Sequence, residues 1–325
     1  MKVLVAGGAG YIGSIMTRLL VENNHDVVVL DNLSIGHREA VRAPARLVLG
    51  SIGKDVNVER LLRAEQPECV MHFAAKSQIP ESVERPDVYF ENNISQGVRF
   101  LNAVCRAGVR RFVFSSTASV YGAPDRVPIT EDFPLKPTSP YGDTKRIFED
   151  LLAAYEKAYG LRYASLRYFN VAGAYQGLGE DHRPETHVVP ILLKAALNPD
   201  QVFPIYGDDY PTRDGTCIRD YLHVYDLCRA HLLAMEALTD KSSVYNLGSG
   251  LGFTVREVLA AVEKVTGRKL KSRIAARRPG DPPALVASSE RIQKELGWTR
   301  EKPELETMLA DAWEFHQRLP DGYPD

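Results

Sequence analysis

The 325 residues carry 40 Lys plus Arg against 42 Asp plus Glu, a formal charge of −2, which excludes a globally basic nucleic-acid binder and an acidic disordered tail. Apolar residues make up 44% and charged residues 25%, ordinary for a globular protein with a sizeable core, and the length suits about two domains at roughly 150 residues each. Cys69, Cys105, Cys217 and Cys228 form no CxxC pair, which argues against a zinc ribbon or a disulfide framework and for a reducing compartment, and no run of about 18 apolar residues predicts a membrane span.

Residues 3–6 open the chain as a buried strand. Glycines at 7, 8, 10 and 13 interrupt the apolar run too soon for a signal peptide. Short, non-alternating apolar runs at 3–6, 27–30, 47–49, 70–73, 112–114 and 164–166 predict strands covered on both faces. Helical stretches are predicted between them at 11–23, 56–65, 87–107 and 141–159, the second with Val58, Leu61 and Leu62 at helical spacing. This alternation predicts an α/β fold built on a Rossmann-type, doubly wound parallel sheet. From about residue 173 the rhythm changes. Proline- and glycine-rich loops are expected over 176–216, then helices at 224–238, 255–266 and 304–318, in a smaller mixed α/β part. A strand at 244–248 is expected to return to the main sheet.

The first strand runs directly into Gly7-Gly8-Ala9-Gly10-Tyr11-Ile12-Gly13, with Gly7, Gly10 and Gly13 spaced as GxxGxxG. Such a turn needs residues without a Cβ, and the helix behind it offers free N–H groups and its positive end to a pyrophosphate. Asp31 closes the second strand eighteen residues after Gly13, placed to accept hydrogen bonds from ribose hydroxyls. It would repel a 2′-phosphate, and no Arg or Lys follows until Arg38, so NAD is favoured over NADP.

Thr117 lies just after the strand at 112–114, where ligands of such sheets bind. Ser139 and Pro140 suit the N-cap and first position of a helix, which puts Tyr141 and Lys145 on one face at i and i+4. A phenol with a pKa of about 10 is a poor base at neutral pH. A lysine cation one turn away, with the charge of an oxidised nicotinamide, is expected to favour the phenolate. Tyr141 could then take a proton from an alcohol while hydride leaves the same carbon, with Thr117 bonding the alcohol oxygen.

These motifs resemble the extended short-chain dehydrogenase/reductase superfamily. Tyr206-Gly207-Asp208-Asp209-Tyr210-Pro211-Thr212-Arg213-Asp214-Gly215-Thr216-Cys217-Ile218-Arg219-Asp220-Tyr221-Leu222-His223-Val224 further resembles the signature of the UDP-glucose 4-epimerase family. Met71-His72-Phe73-Ala74-Ala75, Arg167-Tyr168-Phe169-Asn170, Tyr245-Asn246-Leu247-Gly248 and Arg277-Arg278-Pro279-Gly280-Asp281 add to it, and the likeness runs on to Gly322-Tyr323-Pro324-Asp325. The resemblance implies that NAD+ oxidises C4 of a UDP-hexose, that the keto sugar turns over while anchored by its UDP, and that hydride returns to the opposite face. It makes Tyr141 the base, Lys145 its modulator and nicotinamide-ribose ligand, and Thr117 the hydroxyl partner. It implies cofactor contacts from Gly7, Gly10, Tyr11, Ile12, Gly13, Asp31, Asn32, Ser51, Ile52, Phe73, Ala74, Ala75, Ser77, Asn92, Tyr141, Lys145 and Phe169. UDP-sugar contacts would come from Thr117, Tyr141, Asn170, His187, Val188, Tyr206, Arg219, Arg278, Asp281 and Leu285. The arginines suit this, because a diphosphate wants planar multidentate donors.

On this basis residues 1–172 form the NAD-binding domain, with about 223–248 returning to it, and 173–325 the UDP-sugar domain. A cytoplasmic homodimer through paired helices at 87–107 and 141–159 is implied, without a nucleic-acid polymer or membrane partner. No metal site is expected, because the eight histidines look scattered in the sequence and lack close carboxylate or cysteine partners. Three positions depart from the family pattern. Ser51 stands where many members carry Asp against the adenine amino group, and its oxygen could still accept that bond, without charge. Thr117 stands where many have Ser, and its methyl restricts χ1. Leu285 stands beside the sugar 2-substituent, where Tyr restricts some members to unacetylated sugars and smaller residues admit N-acetylhexosamines. A 4-epimerase for N-acetylhexosamines, UDP-pentoses or UDP-glucuronate therefore stays open. A nucleotide-sugar dehydratase resembles this chain with Asp-Glu after the threonine, but Ala118 and Ser119 occupy those places. A non-catalytic NAD-binding protein would be expected to lose Tyr141 or Lys145.

Overall fold

In the computed structural model, which describes residues 1–278 and 281–324, strand β1 (Lys2–Ala6) is buried almost throughout and sits near the middle of the main sheet. Val, Leu and Ala fill it because helices cover both faces. In chain order follow β2 (Asp26–Asp31), β3 (Arg46–Leu49), β4 (Cys69–His72), β5 (Arg111–Thr117), β6 (Arg162–Tyr168), β7 (Asn170–Ala172), β8 (Val202–Tyr206), β9 (Ile218–Arg219), β10 (Tyr221–His223), β11 (Ser243–Leu247), β12 (Phe253–Thr254), β13 (Lys271–Ala275) and β14 (Ala284–Leu285). The main sheet has the order β11-β6-β5-β4-β1-β2-β3 among the described residues. Its ladders β1·β2, β1·β4, β2·β3 and β4·β5 are parallel. Strand order reverses between β1 and β4, the switch point at which doubly wound sheets open their ligand crevice. The fold is a Rossmann-type α/β fold.

Contacts group the chain into two compact units: Met1–Gly122, Pro134–Arg167 and Cys228–Tyr245 form the first, and Ala123–Phe133, Tyr168–Leu227 and Asn246–Asp325 the second. The core of the first unit gathers Leu4, Val70, Phe100, Phe112, Phe114 and Phe148, each at most 1% exposed. His72 lies among these rings, 5.3 Å from Phe148, and burial lowers its pKa to about 3, so it packs as a neutral ring. The second unit packs Leu192, Leu193, Val258, Val262, Met308 and Leu309 between helices and the short ladders β10·β7, β13·β8 and β12·β9·β14.

Helices Tyr11–Glu22, Asp55–Glu65, Pro140–Tyr159, Val224–Ala237, Val255–Thr266 and Leu305–Arg318 match the periodicity to within two residues. Two expectations fail. The stretch expected as loop over 176–216 contains the helix Val188–Leu197 and β8. The helix is apolar nearly all round, so no polar face marks its period. The single helix expected at 87–107 is Pro86–Tyr89, then a π-helical stretch at Phe90–Ser95, then Gln96–Arg106. No helix among the described residues is long and apolar enough to cross a membrane.

Candidate active site

The turn after β1 is built by close backbone approaches. Gly7 has φ +82°, and a Cβ there would lie 2.4 Å from the Ala74 nitrogen. A Cβ on Gly13 would lie 2.1 Å from the Gly7 oxygen, so the helix Tyr11–Glu22 can start against the turn only with glycine here. Gly10 is its N-cap, no side chain caps it, and its first turn holds no acid. Such a first turn suits an anion, which helix N-terminal N–H groups and the positive end of the dipole attract. Asp31, 8% exposed, accepts from Ala9 N at 2.9 Å and Leu33 N at 2.8 Å. Each carboxylate oxygen keeps a second lone pair for a ribose hydroxyl. Phe73, Ala74 and Ala75 follow β4 directly, with Phe73 N donating to Ala6 O at 2.7 Å. Ile52 is buried after β3, Asn32 and Ser77 are exposed, and Asn92 sits in the π-helical stretch. Gly7, Gly10, Tyr11, Ile12, Gly13, Asp31, Asn32, Ser51, Ile52, Phe73, Ala74, Ala75, Ser77 and Asn92 all belong to the first unit, whereas Phe169 belongs to the second.

Thr117 ends β5, and its hydroxyl accepts from Ser119 N at 3.2 Å. Ser139 caps the helix Pro140–Tyr159 by accepting from Gly142 N at 3.2 Å, with Pro140 in the first turn. A Cβ on Gly142 would lie 2.7 Å from Ser119 O, so glycine lets this helix close on the turn that follows Thr117. Tyr141 is 8% and Lys145 3% exposed. The Lys145 ammonium donates to Ser115 O at 2.7 Å and stands 5.8 Å from the Tyr141 ring centre. Burial pushes the Tyr141 phenol up to about 12, against the Thr117 hydroxyl, which draws it down. Burial also lowers Lys145 to about 7 despite Glu149 nearby. Lysine without the nicotinamide charge therefore does not favour the phenolate, and the expectation, which joins the two charges, rests on the cofactor's. In a dry site the ammonium is itself disfavoured and cannot offset the desolvation of the phenolate. The residues fit a cofactor that brings its own positive charge.

In the second unit, residues expected on the sugar side form pairs. The Arg278 guanidinium stacks on the Tyr206 ring at 4.1 Å, and Arg219 is ion-paired with Asp281. Leu285 on β14 stands in register with Arg219 on β9, and its carbonyl accepts from Asp220 N at 3.0 Å. Asn170 starts β7 and donates its N–H to Asp220 O at 3.0 Å. His187 is the N-cap position of the helix that Val188 begins. Pro279 and Gly280 of the basic motif, and Asp325 of the terminal one, lie outside the described residues.

A family model described as the NAD dependent epimerase/dehydratase family matches residues 3–248. The chain belongs to this family. It is 48% identical over 322 residues to the UDP-glucose 4-epimerase of Corynebacterium glutamicum, an alignment covering 99% of this chain and 97% of that protein. A crystal structure of a UDP-glucose 4-epimerase matches with a TM-score of 0.97 at 43% identity, covering 100% of both chains. That of the Brucella ovis UDP-glucose 4-epimerase, in complex with NAD, matches at 0.93 and 44%, covering 97% of this chain and 98% of that one.

Within this family fold, several supporting groups escaped the sequence reading. Asn93 is buried, accepts from Lys76 N at 2.9 Å and donates to Lys76 O and Thr144 Oγ1. It thereby ties the segment after β4 to the helix of Tyr141, and the π-helical turn aims it there. Ser116 donates to Glu149 at 2.6 Å, and Glu149 is gripped by Arg167, whose Nη1 donates to Tyr121 at 2.9 Å. These polar residues are nearly solvent-free, and only an unusual density of polar side chains near β5 hinted at them. Ser51 donates to Gln96 Oε1 at 2.8 Å and accepts from Gly53 N at 3.4 Å, so its hydroxyl already has partners within the protein. The histidines are not all scattered. His182 and His187 converge with Glu180 and Glu185. Burial opposes charge on His187, yet Glu180 and Glu185 outweigh it and push its pKa up to about 10.

The turn makes a direct prediction. Gly13→Ala forces its methyl into the Gly7 carbonyl, and overpacking of this kind costs about 1–3 kcal/mol. NAD retention through gel filtration, read by absorbance, is expected to fall by about tenfold, the lower part of that range at about 1.4 kcal/mol per tenfold. Unchanged retention would remove the turn from the cofactor site.

Proposed function

We propose that this chain is a UDP-glucose 4-epimerase that interconverts UDP-galactose and UDP-glucose through a 4-keto sugar. The observation that carries this reading is the buried Thr117, Tyr141 and Lys145 constellation at the end of β5, in the same unit as an uncapped GxxGxxG turn. NAD+, when bound, supplies a hydride acceptor and a fixed positive charge. Tyr141 takes the proton of the sugar C4 hydroxyl, and Thr117 holds that oxygen. Lys145, anchored on Ser115 O, orients the ribose and adds charge when protonated. Asp31 holds the adenosine ribose. Arg219 and Arg278 neutralise the diphosphate, with Asn170, His187, Val188, Tyr206 and Asp281 completing that side. The first unit is the cofactor domain and the second the UDP-sugar domain. The protein works in the cytoplasm as a homodimer joined through the helices at 86–106 and 140–159. Phe90 and Tyr159 on these segments, 38% and 52% exposed, offer apolar surface for it.

Incubation of the purified protein with UDP-galactose, without added alcohol or electron acceptor, is expected to yield UDP-glucose. No interconversion with bound NAD confirmed would overturn the proposal. Leu285 sets the width of the sugar pocket near the 2-substituent. Leu285→Tyr is expected to lower kcat/KM for UDP-N-acetylgalactosamine by about 10–200-fold, the value of one pocket contact, while UDP-galactose is much less affected. Equal losses on both sugars would exclude Leu285 as the selector.

A further inference from the structure

We propose that Glu180, His182, Glu185 and His187 form a structural site for a divalent metal ion of the zinc class. The four lie on the loop that leads into the helix Val188–Leu197, and one ligand atom from each falls within 4.8 Å of all the others. Glu180 Oε1 stands 2.7 Å from His187 Nδ1 and 3.1 Å from His182 Nδ1. Glu185 Oε1 stands 3.3 Å from His187 Nδ1, and Oε2 3.8 Å from His182 Nδ1. Four donors held at about 2.0–2.1 Å in a tetrahedron are about 3.3 Å apart along its edges. The separations among Glu180 Oε1, Glu185 Oε2 and the two Nδ1 atoms, 2.7, 3.1 and 3.8 Å, lie on either side of that value.

Direction separates this cluster from a set of ion pairs. His182 Nδ1, His187 Nδ1 and Glu185 Oε2 are all buried from solvent, and none has a hydrogen-bond partner. The imidazole nitrogens approach carboxylate oxygens closely without an N–H aimed at them, which is the arrangement of donors facing a shared point. Glu185 is 6% exposed at its side chain, and its Oε1 accepts from Thr186 N and His187 N, both at 2.8 Å. Those amides fix the carboxylate and leave Oε2 turned into the cluster, as outer partners do for metal-bound carboxylates. The His187 ring is 44% exposed while its Nδ1 is buried, which gives an ion a path in. Two carboxylates match the charge of a divalent ion, and a mixed imidazole and carboxylate set suits zinc. Four protein ligands close the shell, the mark of a structural site. The bound ion would clamp the loop on this side, while Arg183 on the other side donates to Tyr323 O at 2.8 Å.

The test measures metal directly and so stands apart from epimerase activity. The untagged full chain is stripped with a chelator, incubated with zinc, freed of excess by gel filtration and analysed by mass spectrometry. About one zinc per chain is expected, with a higher Tm than the stripped protein. His182→Ala and Glu185→Ala should each weaken zinc binding by about tenfold or more, whereas His25→Ala, far along the chain, should not. Cobalt in place of zinc should show the intense visible absorption of a tetrahedral ion. Should the variants fail to fold, uptake and cobalt spectrum of the stripped wild-type chain decide. No uptake by the wild-type chain, uptake equal in folded His182→Ala, or a weak octahedral cobalt spectrum overturns the proposal.

Discussion

Tyr141→Phe is expected to lower kcat for UDP-galactose by about 10²–10⁴-fold, the contribution of one positioned acid–base group. The substitution removes a single oxygen and keeps the ring that meets Tyr89 edge-on at 6.5 Å. Bound NAD and UDP affinity should therefore stay near wild type, placing the loss in the chemical step. Because burial, only partly opposed by Thr117, pushes this phenol up to about 12, the free protein holds it protonated. The proton can leave only once cationic charge is brought close, so the base becomes active when cofactor and sugar are both in place. A kcat within threefold of wild type would take Tyr141 out of the mechanism.

Arg167→Met is expected to destabilise the protein by about 3–5 kcal/mol, because it strands a buried carboxylate. Arg167 and Glu149 are 5% and 6% exposed. Arg167 Nε lies 3.0 Å from Glu149 Oε1, and Nη2 lies 2.5 Å from Oε2. Burial works against the guanidinium charge, but Glu149 outweighs it and holds its pKa above the ordinary arginine value. Denaturant melts of the single variant should show the loss, and Arg167→Met with Glu149→Met should recover most of it, since two apolar side chains leave no charge behind. A single variant within 1 kcal/mol of wild type would mean that water reaches Glu149. Ser116 also donates to this carboxylate, so the damage should reach the strand end that presents Thr117.

The main sheet was legible because both-face burial writes itself as short apolar runs, and the turn after β1 because only glycine tolerates its approaches. Tyr141 and Lys145 were legible through Ser139 and Pro140, which set the start of their helix. Their ionisation was not, since it depends on how dry the site is and no spacing reports that. The helix Val188–Leu197 hid among prolines because it lacks a polar face. Asn93 hid because a π-helical turn breaks the periodicity that would place it. The Glu180 to His187 cluster hid because a loop, with no period at all, brings its side chains together.

The place of β11 has a consequence for synthesis. The sheet order puts β11 beside β6, although some seventy-five residues of chain separate them. Until the ribosome has delivered β11, β6 presents an unpaired edge, the kind of surface that recruits other chains. The segment Ala123–Phe133 waits even longer, since Ile129 pairs with Ala287. A nascent chain halted near residue 227 therefore carries an open sheet edge and an unpartnered strand segment, and it should depend on chaperones in a way that the finished protein does not.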